Sequence, residues 1–232
     1  MLSDCPVAWK YLATDESWTE IKGVGDQRRD YCLQACHGYI YRIGGRASLG
    51  AAVDAQVMRY DPMRDHWQVV EPMVHAVEFP NAVNIGTKLY VIGSLADTLM
   101  LQMKCFSADS GGWTLVYTLQ NWPSSLSTPI VSLKGLIYIL NGKSTDVMCY
   151  NPESGSGDFT APRKQSRRFY SAVASNNKIY VFGGMMCGVG IKTVEEYDAD
   201  SDSWSEVDTM PCALTSFSCV NVRFVKKDLM MI

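Results

Sequence analysis

The sequence predicts an all-β protein, a propeller in which small four-stranded sheets pack radially about one axis. Three observations predict it. An apolar strand, a glycine pair, a tyrosine strand and a tryptophan strand recur in that order along the chain. The recurrence is regular: Trp18 and Trp67 lie 49 residues apart, Trp67 and Trp113 lie 46 apart, and Trp113 to Trp204 spans 91, or two periods. No window sustains the 3.6-residue periodicity of an amphipathic helix. A repeat of about 40–50 residues points to propellers or solenoids, and four antiparallel strands per unit select the propeller.

Each element follows from local pattern. YIYRI, KLYVI, LIYIL and KIYVF are short β-branched and aromatic runs that end in a glycine, asparagine or serine. Such runs read as strands stopped by a turn former. NAVNI, TPIVSL and SAVAS precede them across polar turns and supply the first strand of a unit. The tyrosine and tryptophan strands follow, joined by DPMRDH, SADSGG or DADSDS, whose acidic and small residues suit exposed hairpin turns. The expected units are residues 31–73, 79–119, 127–162 and 169–210. Residues 1–22 give part of a first blade, with Tyr11 and Trp18 seven apart but no glycine pair before them. SFSCVNVRFVKKDLMMI, residues 216–232, is expected to return to that blade as its closing strand, which would remove open sheet edges. The glycines are expected on the second strand beside the central channel, where only glycine leaves room for crowded backbone.

Composition narrows function. The chain has 232 residues, 47% hydrophobic and 19% charged, and a net charge of −3. That balance argues against a nucleic-acid or membrane-surface partner. The N-terminus lacks the basic and apolar regions of a signal peptide, and no run of about 18 apolar residues exists. Eight cysteines without a secretory signal are expected to be free thiols in a reducing compartment, which makes the expected location cytoplasmic.

The repeated marks resemble kelch repeats. Gly44, Gly45, Tyr60 and Trp67 form one complete unit, and Gly183, Gly184, Tyr197 and Trp204 another. Two units are degenerate: Gly93 with Phe106 and Trp113, and Gly142 with Tyr150 and no tryptophan, where Phe159 is expected to fill part of the gap. The C-terminal stretch also resembles that of the BTB-BACK-kelch proteins, closest to the branch with five-bladed propellers. The resemblance implies a five-bladed kelch propeller whose first blade is truncated. It also implies a protein-interaction module that captures a protein substrate for a cullin-RING ubiquitin ligase. The cullin would be held through BTB and BACK domains, which the repeats do not include. An actin- or cytoskeleton-binding scaffold is the alternative.

Site residues follow from where the loops fall. The loops between second and third strands share one end of the wheel with the loops between units, and a rigid sheet makes such loops good recognition elements. Arg28, Arg29, Arg46, His75, Arg163, Lys164, Arg167, Arg168 and Tyr170 are expected on that end as the partner-binding face, with an acidic peptide segment as the target. Phe79, Trp122 and Phe169 are further candidate anchors. The plain alternative is that the aromatics belong to the core and the arginines are solvated. On the first reading, reversing the charge of Arg163, Arg167 and Arg168 together should leave stability nearly unchanged. No enzyme, cofactor or metal is expected. Cys32, Cys36 and His37 are spaced C-x3-C-H, short of a zinc set. His37, His66 and His75 belong to different parts of the blades. Cys105 and Cys149 share a repeat position with Arg59 and Glu196, so that position is expected to face outward.

Overall fold

The computed structural model describes residues 8–12, 17–21, 28–96, 98, 100–122 and 128–219. Among the described residues there is no helix. A hairpin, β1 (Ala8–Leu12) and β2 (Ser17–Ile21), comes first. Four antiparallel sheets of four strands follow. The first holds β3 (Cys32–Cys36), β4 (Tyr39–Ile43), β5 (Val57–Asp61) and β6 (His66–Val70). The second holds β7 (Glu78–Ile85), β8 (Lys88–Ser94), β9 (Leu101–Ser107) and β10 (Trp113–Leu119). The third holds β11 (Ile130–Leu133), β12 (Leu136–Leu140), β13 (Val147–Asn151) and β14 (Ser156–Phe159). The last holds β15 (Ser171–Ser175), β16 (Lys178–Phe182), β19 (Thr193–Asp198) and β20 (Ser203–Thr209). Its loop carries a small extra hairpin, β17 (Met185–Met186) and β18 (Val189–Gly190).

The core lies between sheets, not within one. One cluster joins Tyr41, Ile43 and Val57 of the first four-stranded sheet to Leu89, Val91 and Phe106 of the second. Others join the second to the third, through Tyr90, Ile92 and Met103 against Ile137, Ile139 and Tyr150, and the third to the last. Ile21 of the first hairpin packs on Tyr60 and Trp67. The first strands β3, β7, β11 and β15 run side by side in succession. Together with Phe217 to Cys219 they line a central channel of about 790 Å³. Sheets stacked face to face about a shared channel form a β-propeller. The five-blade count and the closing strand depend on residues 1–7, 22–27 and 220–232, which lie outside the described residues.

The aromatic marks pair directly across strands. Tyr60 faces Trp67, Phe106 faces Trp113 and Tyr197 faces Trp204, with ring centroids 5.2, 5.1 and 5.0 Å apart. A second layer crosses between sheets: Tyr41 meets Phe106 edge-on at 5.7 Å, and Tyr138 meets Tyr197 at 5.6 Å. The indoles also donate across the gap, Trp113 Nε1 to the Glu71 carbonyl at 2.8 Å and Trp204 Nε1 to the Ala161 carbonyl at 3.0 Å. In the third sheet Gly157 stands opposite Tyr150, where a tryptophan would be. Phe159 does not fill that place. It is 66% exposed and stacks on Trp122. Tyr117 of β10 fills it instead, 5.2 Å from Tyr150, with its ring over Gly157.

The glycine pairs do not line the channel. The first strands do, and each pair ends the second strand against the loop that leads into its own sheet. Gly45 and Gly184 have φ of +97° and +89°, a region that L side chains avoid. A Cβ on Gly45 would lie 2.7 Å from the Arg29 carbonyl and 3.0 Å from Tyr31 Cβ. On Gly184 it would lie 2.7 Å from the Arg168 carbonyl and 2.8 Å from Tyr170 Cβ. The start of the C-terminal stretch repeats this packing. Gly183 abuts Met210 and Phe217 as Gly44 abuts Met73 and Pro80. Ser216 shares with Asp30, Phe79 and Phe169 a positive φ.

Cys105 and Cys149 correct another expectation. Their repeat position faces the neighbouring sheet rather than solvent, and Cys105 is buried while Cys149 is partly so. Lys104, two residues before Phe106 and opposite Val91, is fully buried in the same kind of interface. Its Nζ has no hydrogen-bond partner. Burial holds its pKa down, at about 8. Met58 and Met148 occupy the matching place in sibling sheets, two residues before Tyr60 and Tyr150.

Two outcomes follow. Gly184→Val should be insoluble or destabilised by several kcal/mol, about 3 or more, because strain and clash coincide; thermal melts of the soluble fraction check it. Lys104→Met should stabilise the protein by about 1–3 kcal/mol at pH 7. A lysine whose folded pKa lies below its unfolded value opposes folding fully below about pH 8. That opposition fades as pH rises to about 10.4. The gap between wild type and variant, read from denaturant melts, should therefore close between pH 8 and 10.

Candidate partner-binding face

Antiparallel connectivity sends the loops between β4 and β5, β8 and β9, β12 and β13, and β16 and β19 to one end of the propeller. The loops between sheets emerge at the same end. The opposite end carries the tight hairpin turns, where Asp61, Asp65, Asp109, Glu153, Asp200 and Asp202 gather as solvation favours. There Asp65 and Asp202 accept from the Tyr60 and Tyr197 hydroxyls, and Arg64 and Lys134 pair with Asp61 and Asp200.

Arginines pin the loop end from inside. Arg28 pairs with Asp54 at 2.7 Å. Arg46 bridges Asp30 at 3.0 Å and Glu78 at 3.2 Å, tying its own sheet to the next, and lies 5.8 Å over the Phe79 ring. Arg163, 2% exposed, donates from Nη2 to the carbonyls of Asn141 and Ser144, both at 2.6 Å, and lies 4.5 Å over the Tyr170 ring. The Tyr170 hydroxyl donates to the same Asn141 carbonyl at 3.0 Å. Burial pushes that phenol up to about 12, so it stays neutral. Arg167, 0% exposed, pairs with Glu195 at 2.5 Å and donates to the Gly183 and Thr193 carbonyls. The other Glu195 oxygen accepts from the Lys164 amide.

Burial divides the residues expected on the partner-binding face. Arg163, Arg167 and Tyr170 are buried and committed to the protein itself, so they do not meet a partner. Trp122 is buried too. Arg28 and Arg46 are largely enclosed by their ion pairs. Arg29, His75, Lys164 and Arg168 are exposed as expected. Lys143 and Lys192 join them; the sequence did not single them out, although both sit in the loops between second and third strands. Among the described residues Lys143, Lys164, Arg168 and Lys192 form no ion pair. Leu49, Val74, Met186 and Val189 are exposed on the same end, Val189 at 69%.

The remaining candidates do not assemble into a centre. His37 and His66 lie at the hairpin-turn end and His75 at the loop end. Cys32 and Cys36 share one face of β3 and pack in one apolar cluster. Burial raises the Cys32 thiol to about 12 against the pull of the Ala82 amide. The seven described cysteines are free. Among the described residues no group of three or more His, Cys, Asp or Glu side chains is placed to hold a metal ion.

A rigid wheel of sheets with charged and apolar loops gathered at one end defines a repeat-built protein-interaction module. Comparison with known proteins agrees. The kelch motif matches residues 27–74 and 166–211, the two units whose marks are complete. The chain is similar to Kelch-like protein 23 of Mus musculus, 28% identical over 220 residues, 92% of this chain and 39% of that protein. It is similar to Kelch-like protein 25 of Mus musculus, 30% identical over 224 residues, 89% and 37% of the two. Kelch-like protein 21 of Danio rerio is 29% identical over 246 residues, 88% and 38%. The chain is a kelch-repeat protein of the kelch-like family. It spans about two fifths of the length of the curated relatives it matches.

Burial reverses the expectation for the arginine substitutions. Arg167→Met or Glu195→Gln alone should cost about 3–5 kcal/mol, since each strands a buried charge or its donors. The pair changed together should cost less than the sum. Arg168→Glu should stay within about 0.5 kcal/mol of wild type. Denaturant melts of the four variants distinguish these outcomes.

Proposed function

We propose that this module is the target-recognition part of a substrate adaptor for a cullin-RING ubiquitin ligase, and that its loop end grips an acidic segment of a protein target. One observation carries the reading. The carboxylates Asp30, Asp54, Glu78 and Glu195 of that end are taken up by internal pairs, while Lys143, Lys164, Arg168 and Lys192 face solvent and outnumber the exposed Glu71 and Asp146 beside them. The loop end thus offers cations although the chain as a whole is acidic. Complementary charge speeds encounter and selects partners, and the exposed Leu49, Val74 and Met186 supply apolar contact beside it. The family resemblance supplies the ligase role, with the cullin held through a BTB domain outside these repeats and the complex placed in the cytoplasm. Packing of residues 210–217 against Gly183 and the Gly184 amide supports a five-bladed ring closed by residues 216–232 on the first blade, residues 1–22.

Capture on immobilised wild-type protein, followed by mass spectrometry, should return a target with an acidic segment. Lys143→Glu, Lys164→Glu and Arg168→Glu combined should weaken that target roughly tenfold or more. Added salt should weaken wild-type binding, and the melting temperature should barely move. Unchanged affinity would remove the cationic face from the reading, and co-sedimentation with actin filaments would favour a cytoskeletal scaffold.

A further inference from the structure

The knot between the third and last four-stranded sheets holds more positive charge than it can satisfy. Arg163 and Arg167 are both buried, and among the described residues Glu195 is the single buried carboxylate beside them. Both of its oxygens are in use, one on Arg167 and one on the Lys164 amide. The guanidiniums are close enough for Arg163 to disfavour the charge on Arg167. Tyr170, whose ring lies under Arg163, stays neutral and offers no counter-charge. Four donor atoms of this knot are buried with no acceptor: Nε and Nη1 of Arg163, Nε of Arg167 and Nδ2 of Asn141. Buried polar groups in folded proteins are satisfied in about nine cases of ten or more. Four orphan donors in one knot, three of them on guanidinium cations, therefore point to an acceptor that is itself negative. Two exposed lysines without ion pairs are chain neighbours of the knot: Lys143, between Asn141 and Ser144, and Lys164, next to Arg163.

We propose that this knot binds a small monovalent inorganic anion of the halide class, held by Arg163, Arg167 and Asn141 beneath the 141–146 and 163–167 loops. The anion supplies the second negative charge that two guanidiniums require and accepts from donors the fold leaves unpaired. Its effect is structural. Arg163 ties the 141–146 loop to the segment leading into the last sheet, and Arg167 ties that segment to Gly183 and Thr193. Bound anion therefore stiffens three recognition loops at once, and depletion of the anion loosens them. This inference does not depend on the identity of the protein target.

The test uses the whole chain. Melting temperature is followed in sodium chloride, sodium bromide and sodium gluconate at one total ionic strength. Chloride and bromide should raise it saturably with concentration, as a ligand of the folded state does, and gluconate should not. Bromide-soaked crystals should show an anomalous peak at Arg163 and Arg167. Asn141→Asp keeps the oxygen that accepts from the Lys143 and Ser144 amides and replaces the orphan Nδ2 with a fixed negative oxygen. In this variant the melting temperature without halide should rise and the halide response should vanish. Equal melting in the three sodium salts would overturn the proposal. So would a bromide peak elsewhere only, or a halide response that survives unchanged in Asn141→Asp.

Discussion

Each small sheet of this protein has two apolar faces, and a face can be buried only against the next sheet. That constraint governs the rest. A lone four-stranded sheet would leave one set of residues such as Tyr41, Ile43 and Val57 in water, and its opposite set as well. Stacked on its neighbour, it buries them against Leu89, Val91 and Phe106. One fully buried aromatic of this size contributes about 2–3 kcal/mol, so the stacking outweighs any single hydrogen bond in the sheet. The stack must also wedge, because the first strands converge on a channel while the fourth strands spread. Trp113 and Trp204 fill the wide side of the wedge, and their indole N–H groups fasten it to the sheet before.

The same constraint explains which departures from the repeat are tolerated. The third full sheet lacks its tryptophan, but the volume is what matters, and Tyr117 supplies it from the neighbouring sheet. Gly93 remains a glycine in a degenerate unit because Val77 crowds it, at 2.6 Å from a would-be Cβ. Lys104 is a different kind of departure. It meets the requirement for length and not the requirement for solvation, which is why burial lowers its pKa.

Stability at the loop end comes mainly from charge. The loops there have few apolar contacts of their own, so arginines anchor them by ion pairs and carbonyl bonds from beneath. The anchoring takes up the nearby carboxylates. What remains at the surface is mostly cationic, with Lys143, Lys164, Arg168 and Lys192 against Glu71 and Asp146, and partly apolar. The charge of the loop end is thus a by-product of how its loops are held.

The sequence alone determined the repeat, the strand order within a unit, the tyrosine–tryptophan pairing and the end of the wheel on which the loops gather. These are local: a strand pattern, a glycine at positive φ or an offset of seven residues carries its meaning within one unit. Tertiary structure decided which strand lines the channel, that Tyr117 and not Phe159 replaces the missing tryptophan, and that Arg163, Arg167 and Tyr170 are internal while Lys143 and Lys192 are exposed. None of these could be read along the chain. Each depends on what the neighbouring sheet presents, and an arginine facing a glutamate 28 residues away looks the same in sequence as one facing water.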